Sequence, residues 1–144
     1  TGQERHEGYL RALKEHGLKP APELIHYVNA RAVEGYQQTQ ALLNLAEPPE
    51  AIFTSNALLS AGAFRALRES KLAMPGEIAF ASFDETTWTS MVEPPVTVIE
   101  QPTYEIGQTA TELLLKRIDE PTRPTREVIL KGKLIVRRSC GCHM

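Results

Sequence analysis

Apolar strand-like runs alternate along this chain with helix-like stretches, and this alternation restricts the possible fold more than any other feature of the sequence. Strands that follow one another through a helix become parallel neighbours in one sheet. Several of the runs are apolar without polar alternation, as expected when helices cover both faces of a sheet. The sequence therefore predicts an α/β fold with a doubly wound, mostly parallel sheet.

The apolar spacing and the helix breakers place the individual elements. Helices are predicted over 5–16, 32–46, 57–70 and 104–118. Strands are predicted over 24–28, 51–54, 78–83, 96–99, 128–130 and 134–136. Gly8 and Gly35 stand near helix starts, and we expect them to let these helices approach the sheet closely. Because a helix comes first where the alternation requires a strand, we expect a strand to precede Thr1 in a longer protein.

Charge and composition exclude several classes of function. The net charge is −2 and no stretch gathers Lys and Arg, so this segment lacks the basic surface that binds nucleic acid. No apolar run approaches the roughly 20 residues that span a bilayer. Cys140 and Cys142 are separated by one residue and cannot connect distant parts of the chain, which is typical of a protein from a reducing cytosol.

Four polar residues follow the predicted strands, at the edge where open α/β sheets bind ligands. Arg5 opens the first helix, Asn56 and Asp84 follow the strands at 51–54 and 78–83, and Gln101 follows the strand at 96–99. A guanidinium, two amides and a carboxylate supply both donors and acceptors. This set suits a polyhydroxylated ligand.

Each of these residues also has a purely structural interpretation. Asn is a preferred N-cap, so Asn56 can simply cap the helix at 57–70. Asp84 can cap the turn that follows it, and Arg5 can be a solvated residue of the first helical turn. Their shared position at one edge of the sheet is what favours a binding site.

Ordered motifs over nearly the whole chain resemble the LacI/GalR family of bacterial transcription repressors. Residues 5–9, Arg-His-Glu-Gly-Tyr, resemble the family's Arg-x-x-Gly-(Phe/Tyr) helix start. Further matches in the family's order are Gly35-Tyr36, 49–62, 75–84, 95–102 and Ile106-Gly107. Ala57, Ser82 and Ala30 depart from the family pattern, and Ala30 replaces an aromatic residue of some sugar-binding members. Hexoses, sugar acids and nucleosides therefore all stay open as effectors.

The resemblance implies that Arg5, Asn56, Asp84 and Gln101 contact a small-molecule effector, a sugar, sugar acid or similar metabolite, without a cofactor. It also implies one lobe of a type I periplasmic-binding-protein-like fold over 1–101 and 123–139, and a tail over 140–144. Residues 102–122 would cross to an N-terminal lobe absent from this chain. The implied function is effector sensing in a cytoplasmic, homodimeric repressor that binds operator DNA through an N-terminal headpiece, also absent, and has no membrane contact.

The helix at 57–70 is apolar on nearly all sides, which requires cover beyond that of a sheet. In the family this helix and the loop after Asp84 contribute to a dimer interface, which here implicates Leu58, Ala61, Trp88 and Met91. Neighbouring loops of the same chain are the alternative cover. Trp88 can instead stack on the face of a sugar.

Other kinds of site find little support in the sequence. Cys140, Cys142 and His143 lack the second pair of ligands that a structural zinc site needs, and no metal site is predicted. There is no nucleophile elbow, no phosphate-binding loop and no carboxylate pair, so no catalytic residues are predicted. The second interpretation is a solute-binding protein of a sugar transporter, which shares the two-lobe fold. The third is an α/β enzyme.

Overall fold

The sheet consists of four strands in the order β1-β2-β3-β4, in a computed structural model that describes residues 2–142. The strands are β1 (Ala51–Thr54), β2 (Ala79–Phe83), β3 (Thr97–Glu100) and β4 (Lys133–Ile135). Strands β1, β2 and β3 run parallel, and β4 pairs antiparallel with β3. The predicted α/β fold with a mostly parallel sheet is confirmed.

The helices follow the breakers that the sequence supplies. They are α1 (Gly2–Glu15), α2 (Ala32–Leu43), α3 (Ala57–Ser70), α4 (Thr87–Met91) and α5 (Thr103–Asp119). Gly17 has a φ of 71° just after α1, a conformation that glycine adopts without steric cost. Pro48 and Pro49 follow α2 and prevent it from running into β1.

The hydrophobic core lies between one face of the sheet and the pair α2 and α3. Its buried apolar residues are Leu42, Ile52, Ala63, Phe64, Leu67, Ile78, Phe80, Val96 and Val98. A Cβ atom built at Gly62 would lie 1.8 Å from the carbonyl oxygen of Ala32, so the two helix backbones touch at this point. The second cover that the apolar helix α3 requires is therefore α2 of the same chain.

Two glycine predictions had different outcomes. Gly35 does permit a close approach, but to α3 rather than to the sheet, because its Cβ would lie 2.3 Å from the carbonyl oxygen of Leu59. The prediction for Gly8 was wrong, because a Cβ there would meet nothing within 4 Å.

Helix α1 lies on the opposite face of the sheet and covers it only in part. Residues alternate between the two faces along a strand. Ile52 of β1 is buried in the core, whereas the next residue, Phe53, is 44% exposed on the side of α1. This incomplete cover leaves an open cleft between α1 and the sheet.

The strands predicted over 24–28 and 128–130 are not formed. A strand needs a neighbour that completes its backbone hydrogen bonds, and neither segment pairs with another strand among residues 2–142. The first segment instead follows a short 3₁₀-helix, Pro22–Leu24, and its Tyr27 hydroxyl contacts the His6 ring. In the second segment Ile129 is 82% exposed. Apolar content alone predicted these two strands wrongly.

The C-terminal segment is more ordered than the predicted tail. Arg138–Cys140 forms a 3₁₀-helix, and its Ser139 is fully buried. The Ser139 hydroxyl donates to the carbonyl oxygen of Phe80 and accepts from the backbone N–H of Thr97. Cys140, the first residue of the predicted tail, ends this 3₁₀-helix, and His143 and Met144 lie outside the described residues.

Helix α5 stands apart from the core. None of its residues is buried, and Leu114, Leu115 and Ile118 are each more than half exposed. None of the helices within residues 2–142 combines the length and hydropathy needed to cross a bilayer.

Candidate functional site

The start of α3 is the point at which the predicted binding residues meet. Asn56 is the N-cap of this helix, and its Oδ1 atom accepts hydrogen bonds from the backbone N–H groups of Leu58 and Leu59, both at 3.0 Å. The structural interpretation of Asn56 is thus confirmed for its oxygen atom. Within residues 2–142, the amide nitrogen of Asn56 has no such partner.

Asp84 lies beside Asn56 and is held by three contacts. Its Oδ2 accepts from the N–H of Ala57, the first residue of α3, at 3.2 Å, and its Oδ1 accepts from Nε2 of Gln101. Its backbone N–H donates to the carbonyl oxygen of Ile99 at 3.0 Å. A carboxylate is favoured at this position because helix N-termini carry partial positive charge.

Arg5 reaches the same region from α1. Its Nη1 donates to the carbonyl oxygen of Ser55, the residue before Asn56. Its guanidinium lies 3.6 Å from the centre of the Phe83 ring, a cation–π geometry. Arg5 is thus fixed between the ends of β1 and β2. It donates a hydrogen bond to Ser55, which follows β1, and it stacks on Phe83, the last residue of β2.

A cleft of about 570 Å³ opens next to this cluster, between α1 and the sheet. Arg5 and Gln101 line it, whereas Asn56 and Asp84 lie beside it. Its remaining lining residues are Glu4, Gly8, Tyr9, Phe53, Phe83 and Ile99. The cleft therefore has a largely apolar floor and a polar rim.

The apolar floor of the cleft was missed in the sequence. Apolar strands are typical of a sheet covered on both faces, and such a pattern does not distinguish Phe53 and Phe83, which line the cleft, from residues of the core. The only signal was positional, because Phe83 precedes Asp84 directly.

Three buried hydroxyl groups lie behind the cluster, where β1, β2 and α3 meet. The Ser60 Oγ lies 2.8 Å from Thr54 Oγ1 and 2.5 Å from Ser82 Oγ, and it donates to the carbonyl oxygen of Asn56. All three side chains are buried. They join the ends of β1 and β2, directly behind Asn56 and Asp84. Ser82, which departs from the family pattern, takes part in this network.

An ion pair fixes the residue that follows Asp84. Glu85 and Arg137 form two parallel hydrogen bonds of 2.7 and 2.8 Å, and both side chains are mostly buried. The hydrogen bonds from Arg137 lower the pKa of Glu85, because they favour its carboxylate form. The same contact raises the pKa of Arg137.

The four predicted dimer residues are in different environments. Leu58 and Met91 are exposed, at 56% and 77%, and Ala61 is half-buried. Trp88 packs on Phe64 of the core, with 5.2 Å between ring centroids, and does not line the cleft. Stacking of Trp88 on a ligand in the cleft therefore has no support.

No group of three or more potential metal ligands occurs within the described part of the chain. Cys140 is half-buried and Cys142 is exposed, both as free thiols.

Comparison with known proteins identifies the family. The sequence pattern of the periplasmic binding protein-like domain matches residues 1–140. The HTH-type transcriptional regulator CelR of Thermobifida fusca is 34% identical over 96% of this chain and 41% of its own length. The probable opine utilization operon repressor of Rhizobium rhizogenes is 33% identical over 95% of this chain and 70% of its own length.

A solved structure gives the same result for the fold. The structure described as a complex of the transcriptional regulator CelR with cellobiose has a TM-score of 0.89 and 32% identity, and the alignment covers 96% of this chain and 42% of that one. The chain spans only 41–42% of the length of the first curated relatives it matches. This chain belongs to the periplasmic binding protein-like domain family, in the branch of the LacI-type regulators.

Proposed function

We propose that this chain is one lobe of the effector-binding domain of a LacI-type transcription regulator. The observation that carries the proposal is the meeting of Arg5, Asn56, Asp84 and Gln101 at the start of α3. This point lies at the carboxyl ends of parallel strands, where open α/β sheets bind ligands. The regulators among the relatives support this function over that of a transporter's solute-binding protein.

The charges at the site favour a neutral, polyhydroxylated effector. The N–H groups of Ala57, Leu58 and Leu59, which could otherwise bind an anion, already donate to Asp84 and Asn56. The carboxylate of Asp84 adds a negative charge at the same point and would repel a second carboxylate or a phosphate beside it. Hydroxyl groups can donate to Asp84 and accept from Arg5 and Asn56, whereas a sugar acid or phosphate would be repelled.

The apolar floor adds a second requirement to the effector. Phe53, Phe83 and Ile99 present carbon surface to the cleft, and a pyranose ring has one face of C–H groups that packs well on such a surface. The relative described as a complex with cellobiose binds a ligand of this kind. We therefore take a neutral sugar as the effector class.

Residues 1–101 and 123–139 form this lobe, and 102–122 cross to a second lobe outside this chain. The exposed apolar side chains of α5 support this division, because they need a covering surface. Closure of two lobes on an effector changes operator affinity only if the effector binds the closed and open states with different affinity. Operator DNA is bound by an N-terminal headpiece outside this chain.

We propose further that the regulator is a cytoplasmic homodimer without catalytic activity. Leu58 of α3 and Met91 of α4 are exposed apolar residues, and they support a subunit contact at these two helices. The relatives are described as transcriptional regulators rather than enzymes, which supports the absence of catalysis.

Calorimetric titration of the full-length regulator with cellobiose, glucose, gluconate and glucose 6-phosphate tests the proposed effector class. We expect heat of binding from a neutral sugar and none from the two anions. Arg5→Ala and Asp84→Ala should each weaken binding about tenfold or more, because each removes a charged hydrogen-bonding group.

Arg11→Ala is the control for Arg5→Ala, because Arg11 is an exposed arginine of the same helix. Unchanged affinity in both Arg5→Ala and Asp84→Ala would rule out the site. Tighter binding of an anion than of either neutral sugar would contradict the effector class alone.

A further inference from the structure

We propose that Glu85 and Arg137 are positioning residues that hold Asp84 in the orientation needed to bind the effector. The inference rests on the proposed function, since it takes Asp84 as a ligand contact. It concerns two side chains that do not line the cleft and that the sequence did not single out.

Asp84 has an uncommon backbone conformation that must be maintained by its surroundings. Its φ is 79°, and Lys71 is the only other non-glycine residue with a positive φ within residues 2–142. Such a conformation is costly for a residue with a Cβ, and it persists when neighbouring contacts determine it. On the N-terminal side β2 supplies these contacts, and on the C-terminal side Glu85 does.

Glu85 is fixed through both of its carboxylate oxygens. Oε1 accepts from Nη2 of Arg137 at 2.7 Å, and Oε2 accepts from Nη1 of Arg137 at 2.8 Å. Oε2 also accepts from the hydroxyl of Thr89, a fully buried residue of α4, at 2.9 Å. A two-point contact between guanidinium and carboxylate fixes orientation as well as distance. The backbone that follows Asp84 is therefore restrained.

Arg137 is itself held by hydrogen bonds to β3 and to Val96, the residue that precedes β3. Its backbone N–H donates to the hydroxyl of Thr97 at 2.9 Å, and that hydroxyl donates to the carbonyl oxygen of Arg137 at 3.0 Å. Its Nη1 also donates to the carbonyl oxygen of Val96 at 2.9 Å. Gln101, which donates to Asp84, follows the same strand. Strand β3 therefore positions both Gln101, which donates to Asp84, and Arg137, which donates to Glu85.

A second arginine–glutamate ion pair, made by the residue that follows Arg137, supplies a matched control. Arg138 and Glu93 are 2.6 Å apart, but their side chains are 64% and 71% exposed. An exposed pair of this kind contributes little to stability or geometry. Glu93→Gln therefore removes a comparable charge without acting on Asp84.

The test follows the side-chain amide of Gln101 in the whole chain, without ligand, by ¹⁵N–¹H NMR. The amide signals are assigned by their loss in Gln101→Ala. In Asp84→Asn they report the amide without its carboxylate acceptor. We expect Glu85→Gln and Arg137→Lys to shift these signals toward those of Asp84→Asn and to speed their hydrogen exchange about fivefold or more. Glu93→Gln should leave both quantities unchanged.

Signals that match those of the original chain in both Glu85→Gln and Arg137→Lys would overturn the proposal, even if thermal stability falls. Circular dichroism checks that the variants are folded. If Glu85→Gln unfolds, Glu85→Asp takes its place, since it keeps the charge and shortens the reach. Because no ligand is present, a positive result stands even if the full-length regulator fails to bind any sugar, and so the two proposals fail separately.

Discussion

Asn56 shows how one residue can serve the fold and the proposed site with different atoms. Its Oδ1 accepts from two N–H groups of α3, which is the role of an N-cap. Its amide nitrogen has no hydrogen-bond acceptor within residues 2–142 and lies at the edge where Asp84 and Gln101 also lie. The structural and functional interpretations of Asn56 therefore do not exclude each other, and substitution can separate them.

Asn56→Ser should retain the cap and lose the amide donor, whereas Asn56→Ala should lose both. Ser caps helices about as well as Asn, and loss of a cap costs about 1 kcal/mol. We expect thermal unfolding of the chain to be nearly unchanged in Asn56→Ser and to shift to lower temperature in Asn56→Ala. Calorimetry on the full-length regulator should show weaker sugar binding in both variants. Full affinity in Asn56→Ser would leave Asn56 with its structural role alone.

The crossing of α2 and α3 is the contact between elements that tolerates change least. A Cβ at Gly62 would lie 1.8 Å from a backbone oxygen of α2, and backbone atoms cannot move aside cheaply. Gly62→Ala should therefore destabilise the chain by about 1–3 kcal/mol or more. Gly8→Ala is the matched change in an open helix position, and it should stabilise the chain by up to about 1 kcal/mol. Urea unfolding measures both, and equal effects would contradict the close crossing.

The contact between Glu85 and Arg137 predicts a dependence of stability on pH. Arg137 holds the folded pKa of Glu85 below its usual value of 4.5. The stabilisation is present above that value and is lost as the pH falls through the lower folded pKa. The free energy of unfolding should therefore fall more between about pH 5 and pH 3 in the original chain than in Glu85→Gln. Parallel pH profiles for the two proteins would contradict this. Glu69, whose pKa is also lowered, is present in both and cancels in the comparison.

The elements that the sequence predicted well are those whose boundaries are set locally. The bounds of β1 and α3 were predicted correctly, because Pro48-Pro49 and the cap Asn56 mark them in the sequence itself. The strands at 24–28 and 128–130 were predicted wrongly, because a strand depends on a neighbour that local sequence does not specify. Strand ends in the sequence did predict that Asn56, Asp84 and Gln101 lie close together, and their role in binding stays a prediction. The ion pair between Glu85 and Arg137 could not be predicted from the sequence, because 52 positions separate the two residues.

At the scale of the whole molecule, α5 lies outside the hydrophobic core. The buried apolar residues lie between the sheet and the pair α2 and α3, and α5 contributes none of them. The sequence did predict the helix at 104–118, but it could not show which surface covers the exposed apolar side chains of α5. Under the proposed function a second lobe covers these side chains, and α5 then packs on that lobe rather than on this core.

Polar substitution on α5 should leave the stability of this chain almost unchanged. Leu114 and Leu115 are 59% and 56% exposed, so Leu114→Gln with Leu115→Gln should alter the free energy of unfolding by about 0.5 kcal/mol or less. Leu67 is 1% exposed, and Leu67→Ala should cost about 2–5 kcal/mol. Urea unfolding of the two variants makes the comparison. Similar losses in both would show that α5 packs on the core in solution.

The packing of Trp88 on Phe64 gives the molecule a fluorescence reporter of its own. Trp88 is the only tryptophan of the sequence, so tryptophan fluorescence, excited selectively over that of the four tyrosines, arises from a single known place. The indole lies four residues after Asp84, on the helix that Thr89 ties to Glu85. Any rearrangement of that loop on binding alters the surroundings of the indole. Emission intensity and wavelength can thus follow the site in real time, without an attached dye.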